Sequence, residues 1–224
     1  MTRTKTNPKV KVKICGITNW ADARLACKSG ADFLGFNFYR PSPRYIKPAK
    51  AREIVRRLPK KVAAVGIFVN ETEQAMLEIA RAVGLRYFQL HGDESPMLIS
   101  RLRRSLPSVK VIKAIRVRTN IRADQVRSFR GASAILLDGF DSRRRGGTGK
   151  TFDWSLVARF RTRRRVFLAG GLTPDNVADA ICATRPYAID VCSGVEMAPG
   201  KKDSAKVKAL MLAVNGFRLA GKKT

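Results

Sequence analysis

Short apolar runs alternate with longer amphipathic segments along almost the whole chain. Val10–Ile14 reads as a strand, and Trp20–Lys28 as a helix with Thr18 or Asn19 as its cap. Phe33–Phe38 is the next strand; the Pro-rich loop RPSPRYIKP then leads into a helix over Ala49–Leu58. Val62–Val69 is nearly all apolar, as in a strand covered on both faces of a parallel sheet. A helix over Glu71–Val83 follows, with Asn70 as its expected cap. Arg86–Leu90 and Val109–Ile115 are strands separated by a helix over Ser95–Leu106, and a weaker helix over Ile121–Phe129 precedes a strand at Ala134–Leu137. A glycine-rich loop, Gly139–Lys150, leads into a helix near Trp154–Arg161. Val166–Ala169 is a strand, Pro174–Ala183 a helix with proline in its first turn, Tyr187–Val191 the last strand and Ala205–Ala213 the last long helix.

Strict alternation of strand and helix implies a parallel sheet with helical crossovers. Eight such units in one chain of 224 residues fit a closed, single-domain α/β fold, the (β/α)8 TIM barrel, better than an open sheet. An open dinucleotide-binding sheet would carry G-x-G-x-x-G after its first strand, whereas this strand ends in CGIT. Residues 1–9 form a basic N-terminal extension, expected to be flexible, and residues 10–224 the barrel domain.

Composition narrows the function. The chain is 45% hydrophobic, enough for a packed core, and no apolar run approaches the ~20 residues of a membrane-spanning helix. No apolar block follows the basic N-terminus, so no secretory signal is expected and the location is expected to be cytoplasmic. Cys15, Cys27, Cys182 and Cys192 lack metal-type spacing, and with one histidine in the chain a metal site is not anticipated. The net charge of +28 raises the question of nucleic acid. The basic residues are dispersed, however, with only short clusters such as Arg143–Arg145 and Arg163–Arg165, and no helix-turn-helix, finger or RNP signature accompanies them. A solvated basic surface is the leading reading, with no specific nucleic-acid or membrane partner and a monomer or homodimer as the expected assembly.

In such a barrel the chemistry sits at the C-terminal ends of the strands. Gly170 and Gly171 after the seventh strand, and Ser193 and Gly194 after the eighth, leave backbone N–H groups able to approach an anion. That is where this fold frequently holds phosphate. Cys15 ends the first strand as a candidate thiolate, alternatively a small buried hydrophobe. Asp138 ends the sixth as a candidate acid, alternatively a loop-capping carboxylate.

The strings KICGIT, SPRYI, QLHGDE, GGTGKTFDW, AGGLTPDNV and DVCSGVE, in that order from Lys13 to the final helix, resemble the phosphoribosylanthranilate isomerase family of tryptophan biosynthesis. The resemblance implies an Amadori rearrangement of N-(5-phosphoribosyl)anthranilate, without a cofactor, with Asp138 as general acid and Cys15 as general base. It also implies that Arg44 faces the anthranilate carboxylate, that Asp190 lies near its amine, and that Gln89 and His91 line the pocket, His91 more as a structural imidazole than a catalytic one. Gly170, Gly171, Cys192, Ser193 and Gly194 form the implied phosphate site. Cys192 is a departure, since the family usually carries serine there. Related phosphate-binding barrels, such as the histidine-pathway isomerase and indole-glycerol-phosphate synthase, rely on carboxylate or on lysine and glutamate at strand ends, patterns not seen here.

Overall fold

The computed structural model describes residues 10–117, 123–139, 154, 157, 162 and 164–220. Eight parallel strands close into one barrel in sequential order. They are β1 (Lys11–Ile14), β2 (Phe33–Asn37), β3 (Ala63–Phe68), β4 (Tyr87–Leu90), β5 (Lys110–Arg116), β6 (Ala134–Asp138), β7 (Arg165–Ala169) and β8 (Ala188–Val191). β1 and β8 complete the ring in register, with Lys13 opposite Asp190 and Ile14 opposite Val191. The helices are α1 (Trp20–Ser29), α2 (Pro48–Val55), α3 (Glu73–Val83), α4 (Pro96–Ser105), α5 (Ala123–Ser128), α6 (Val177–Thr184) and α7 (Ser204–Ala220). A 3-10 turn, Ser193–Val195, follows β8.

Two apolar layers follow from the alternation of side chains along a strand. Outward-facing residues such as Val12, Ile14, Leu34, Phe88, Ile135 and Leu168 pack against the helices in the larger core cluster. Inward-facing residues, among them Phe33, Val65, Ile112, Leu136, Phe167 and Ala188, fill the barrel floor. Phe33 and Phe167 meet edge to face at 5.3 Å. Continuing the inward columns past this floor reaches Lys13 on β1 and Cys15 just beyond it, Asp138 at the end of β6, and Asp190 on β8 with Cys192 just beyond it. The same period that builds the core therefore lifts polar groups to the barrel mouth.

Several expected boundaries move. Asn19 caps α1, its side chain accepting the Asp22 N–H at 2.9 Å. The α3 cap is Thr72 rather than Asn70. Asn70 is instead left-handed (φ 51°); its N–H donates to Glu94 and its side chain accepts the Asp93 N–H. It ties the loop after β3 to the loop after β4 and is unavailable as a cap. α2 ends at Val55 instead of Leu58, and α6 starts at Val177, with Pro174 in the preceding turn. The basic extension before Val10, the glycine-rich loop beyond Gly139 and most of the helix expected near Trp154–Arg161 lie outside the described residues.

Candidate active site

β1 delivers the thiol. Cys15 stands one residue beyond the strand, its N–H donating to the Val191 carbonyl at 2.9 Å, so the ladder with β8 extends through it. Its sulfur lies over β2 at Gly35, where a Cβ would sit only 2.8 Å away; the absence of a side chain there makes room for the thiol. Cys15 is partly exposed. The hydrogen bond from the Cys192 thiol, opposed by burial and assisted by the positive charges of Lys13 and Lys202, holds the Cys15 thiol well below the ordinary cysteine range. Cys192 is pushed up in turn, because its proton is held against Cys15 and because it is buried.

Beneath the thiol, Lys13 and Asp190 form a buried ion pair at 2.7 Å. Burial raises Asp190 to about 6 despite the favourable Lys13 charge. Lys13 is raised to about 12, burial opposing the change and Asp190 driving it. Asp190 Oδ1 is buried without a hydrogen-bond partner, leaving an acceptor position under the mouth.

The carboxyl comes from β6. Asp138 ends the strand in register with Arg116 of β5, and its Oδ2 lies 3.1 Å from His91 Nε2. Gln89 Nε2 lies 3.0 Å from His91 Nδ1. The Gln89 amide nitrogen faces Nδ1, which turns Nε2 toward Asp138. Gln89 itself is 1% exposed, so it orients His91 from below and does not face the opening. The loop carrying His91 is pinned by Lys113, which donates to the Leu90 and Gly92 carbonyls and pairs with Glu94 at 2.8 Å. An open cleft of about 570 Å³ lies beside it, bordered by His91, Lys113, Arg116 and Phe129.

Arg44 reaches the mouth from the loop after β2, with Nε 3.0 Å from both Glu196 oxygens and Nη2 2.7 Å from Oε2. Glu196 also accepts from Lys202 at 2.8 Å and lies 3.8 Å from Cys192 Sγ. Burial opposes ionisation of Glu196, but the Arg44 and Lys202 bonds prevail and hold it below the ordinary range. The side chain of Cys192 thus faces Cys15 and Glu196. Lys13, Glu196 and Lys202 were not among the sequence-derived candidates, although Lys13 and Glu196 lie within the quoted motifs. The signal for Lys13 was available: a lysine alternating with apolar residues in a strand needs an opposite charge on a neighbouring strand.

The anion-binding candidates lie on the far side of β8. Gly170 (φ 98°) and Gly171 (φ 64°) are left-handed, and a Cβ on Gly170 would stand 2.6 Å from the Gly139 nitrogen. A Cβ on Gly194 would collide with the Leu172 carbonyl oxygen. The two turns therefore interlock through glycine alone. Asn176 locks the first of them, accepting from the Thr173 N–H and donating to the Gly171 carbonyl.

A barrel whose strand ends bring a low-pKa thiol and an oriented carboxyl to one mouth belongs to the class of (β/α)8 enzymes built for acid–base chemistry. The family model described as N-(5'phosphoribosyl)anthranilate (PRA) isomerase matches residues 12–213. The N-(5'-phosphoribosyl)anthranilate isomerase of Pelobacter propionicus is 47% identical over 199 residues, covering 89% of this chain and 92% of that protein. The crystal structure of the Thermotoga maritima phosphoribosyl anthranilate isomerase has a TM-score of 0.84 at 46% identity, covering 92% of this chain and 99% of that one. A phosphoribosyl anthranilate isomerase in complex with reduced 1-(o-carboxyphenylamino)-1-deoxyribulose 5-phosphate has a TM-score of 0.81 at 44% identity, with the same coverage. The chain belongs to the N-(5'-phosphoribosyl)anthranilate isomerase family. Among the described residues there is no group of three or more His, Cys, Asp or Glu placed to hold a metal ion, and no helix long and apolar enough to cross a membrane.

Proposed function

We propose that the protein performs the family's isomerisation in tryptophan biosynthesis through Cys15 and Asp138, converting N-(5-phosphoribosyl)anthranilate to 1-(2-carboxyphenylamino)-1-deoxyribulose 5-phosphate. Asp138 protonates the furanose ring oxygen, and the ring opens to a cationic Schiff base. That cation acidifies the C2′ proton, which the Cys15 thiolate removes, and the resulting enolamine tautomerises to the ketone. The observation that carries this reading is the placement of both groups on inward columns at the same end of one barrel, on β1 and β6, which are separated by β7 and β8. A small sugar between them presents a different atom to each.

Two further features support the substrate assignment. The glycine-only turns at Gly170, Gly171 and Gly194, with Ser193 and the backbone of Cys192, suit the sugar phosphate. Arg44 offers a planar fork for the anthranilate carboxylate, which must share the guanidinium with Glu196. The partly orphaned Asp190 lies where an amine would supply its missing donor. Purified protein added to fluorescent N-(5-phosphoribosyl)anthranilate should abolish the anthranilate signal by turnover. A folded protein that leaves the signal unchanged would overturn the proposal.

A further inference from the structure

Cys192 stands beside the proposed base, and its relation to that group is closer than shared location. β1 and β8 run parallel with Lys13 opposite Asp190 and Ile14 opposite Val191. The Cys15 N–H continues that ladder to Val191, which brings Cys15 opposite Cys192. Neighbouring strands lie ~4.8 Å apart, inside the ~4.4–6.8 Å Cα separation that a disulfide spans. Alternation turns both side chains to the barrel interior, and the Cys192 sulfur would lie 3.1 Å from a Cβ placed on Gly16, the residue next to Cys15. Both cysteines are free and partly exposed, so a small oxidant entering the mouth reaches them.

We propose that Cys15 and Cys192 form a redox-active dithiol, a modification site that a hydroperoxide closes to a disulfide across β1 and β8. The Cys15 thiolate attacks the peroxide: an S–O bond forms, the O–O bond breaks, and the departing hydroxide takes up from solvent the proton that Cys15 released on ionising and leaves as water, giving a sulfenic acid. The Cys192 sulfur then attacks that sulfur; the S–S bond forms, the S–O bond breaks, and the Cys192 proton leaves with the hydroxyl as a second water. Each sulfur gives up one electron and the peroxide accepts two. The surroundings suit both steps. Lys13 and Lys202 favour the attacking Cys15 thiolate; once Cys15 no longer carries charge, burial still opposes ionisation of Cys192 while Lys202 and Arg44 ease it. Cys27 and Cys182 have no comparable partner opposite them and serve as internal references.

Only the consequence for turnover rests on the reading of Cys15 as the base. The reduced protein is exposed to hydrogen peroxide in slight excess, its remaining thiols are alkylated, and its digest is weighed while isomerase activity is followed. The expected result is a pair of joined fragments carrying Cys15 and Cys192, two hydrogens lighter than the separate fragments. Cys27 and Cys182 should remain alkylated, and activity should disappear and return with dithiothreitol. In Cys192→Ser, Cys15 should instead be captured by dimedone as the sulfenic acid. Dimedone capture of Cys15 in the unaltered protein without joined fragments, or joining through Cys27 or Cys182, overturns the proposal whether or not the variant folds. Joined fragments with undiminished turnover would support the dithiol and remove Cys15 as the base.

Discussion

Cys15 draws its acidity from neighbours of different kinds, a hydrogen-bonding thiol and two lysines, and these can be separated by experiment. A thiolate base makes kcat/KM fall as pH drops through the Cys15 pKa. In Cys192→Ala the donor is gone, the pKa rises, and the acid limb of the profile should move to higher pH; Cys192→Ser keeps a donor and should move it less. An unshifted limb in Cys192→Ala would show that the lysines alone set the thiolate. Cys15→Ser and Asp138→Asn should each lower kcat by roughly 10²–10⁴-fold, the usual worth of a general base or acid, in steady-state assays. The Lys13–Asp190 pair has a different energetic character. Lys13, raised to about 12, contributes stability that is full below 10.5 and lost as pH rises from there through about 12. Asp190, raised to about 6, makes the fold less stable as pH rises from 3.8 through about 6, because the folded protein holds that proton more tightly. Asp190→Asn at neutral pH strands a buried ammonium and should cost about 3–5 kcal/mol in urea unfolding, whereas Lys13→Met with Asp190→Leu should recover most of it. The positions of Cys15 and Asp138 at the barrel mouth were legible in the sequence because each is the polar residue at the end of a strand pattern. Glu196 and Lys202 were not, because the Arg44–Glu196 contact joins residues 152 positions apart and exists only once the barrel has closed.

At the level of elements, all eight strands were legible because a strand buried on both faces writes a short apolar run regardless of context. The described helices were legible in type and less so at their ends. Asn70 looks like the cap in the sequence, but Glu94 and Asp93 occupy it from the neighbouring loop, and Thr72 caps α3 instead. Thr72→Ala should therefore destabilise the protein by about 1 kcal/mol in urea unfolding, with turnover unchanged, since α3 packs against α2 and α4. The turns after β7 and β8 respond differently. A methyl on Gly194 would strike the Leu172 carbonyl, so Gly194→Ala must part the two turns. If they grip the sugar phosphate together, KM should rise at least tenfold with a smaller change in kcat, and inhibition by inorganic phosphate should weaken in step. A loss of kcat at constant KM would place the phosphate elsewhere.

The whole molecule carries a net charge of +28, far more than its acid–base chemistry uses. Dispersed positive charge produces a long-range attraction for anions, and the proposed substrate bears both a phosphate and a carboxylate. At ~0.15 M salt the field decays over about 8 Å, against about 30 Å at ~0.01 M, so any steering of substrate to the mouth is confined to low ionic strength. The chemical step occurs after capture, among groups within hydrogen-bond distance such as His91 and Asp138, where mobile ions screen little. Raising potassium chloride from ~0.01 to ~0.15 M should therefore lower kcat/KM while kcat stays level, as stopped-flow and steady-state measurements at matched pH would show. The same titration should release nucleic acid, because contacts made only through charge weaken steeply as counterions are restored. A fall in kcat parallel to that in kcat/KM would mean that salt reaches the Arg44–Glu196–Lys202 cluster itself, and that the surplus charge supports the geometry of the mouth more than the approach to it.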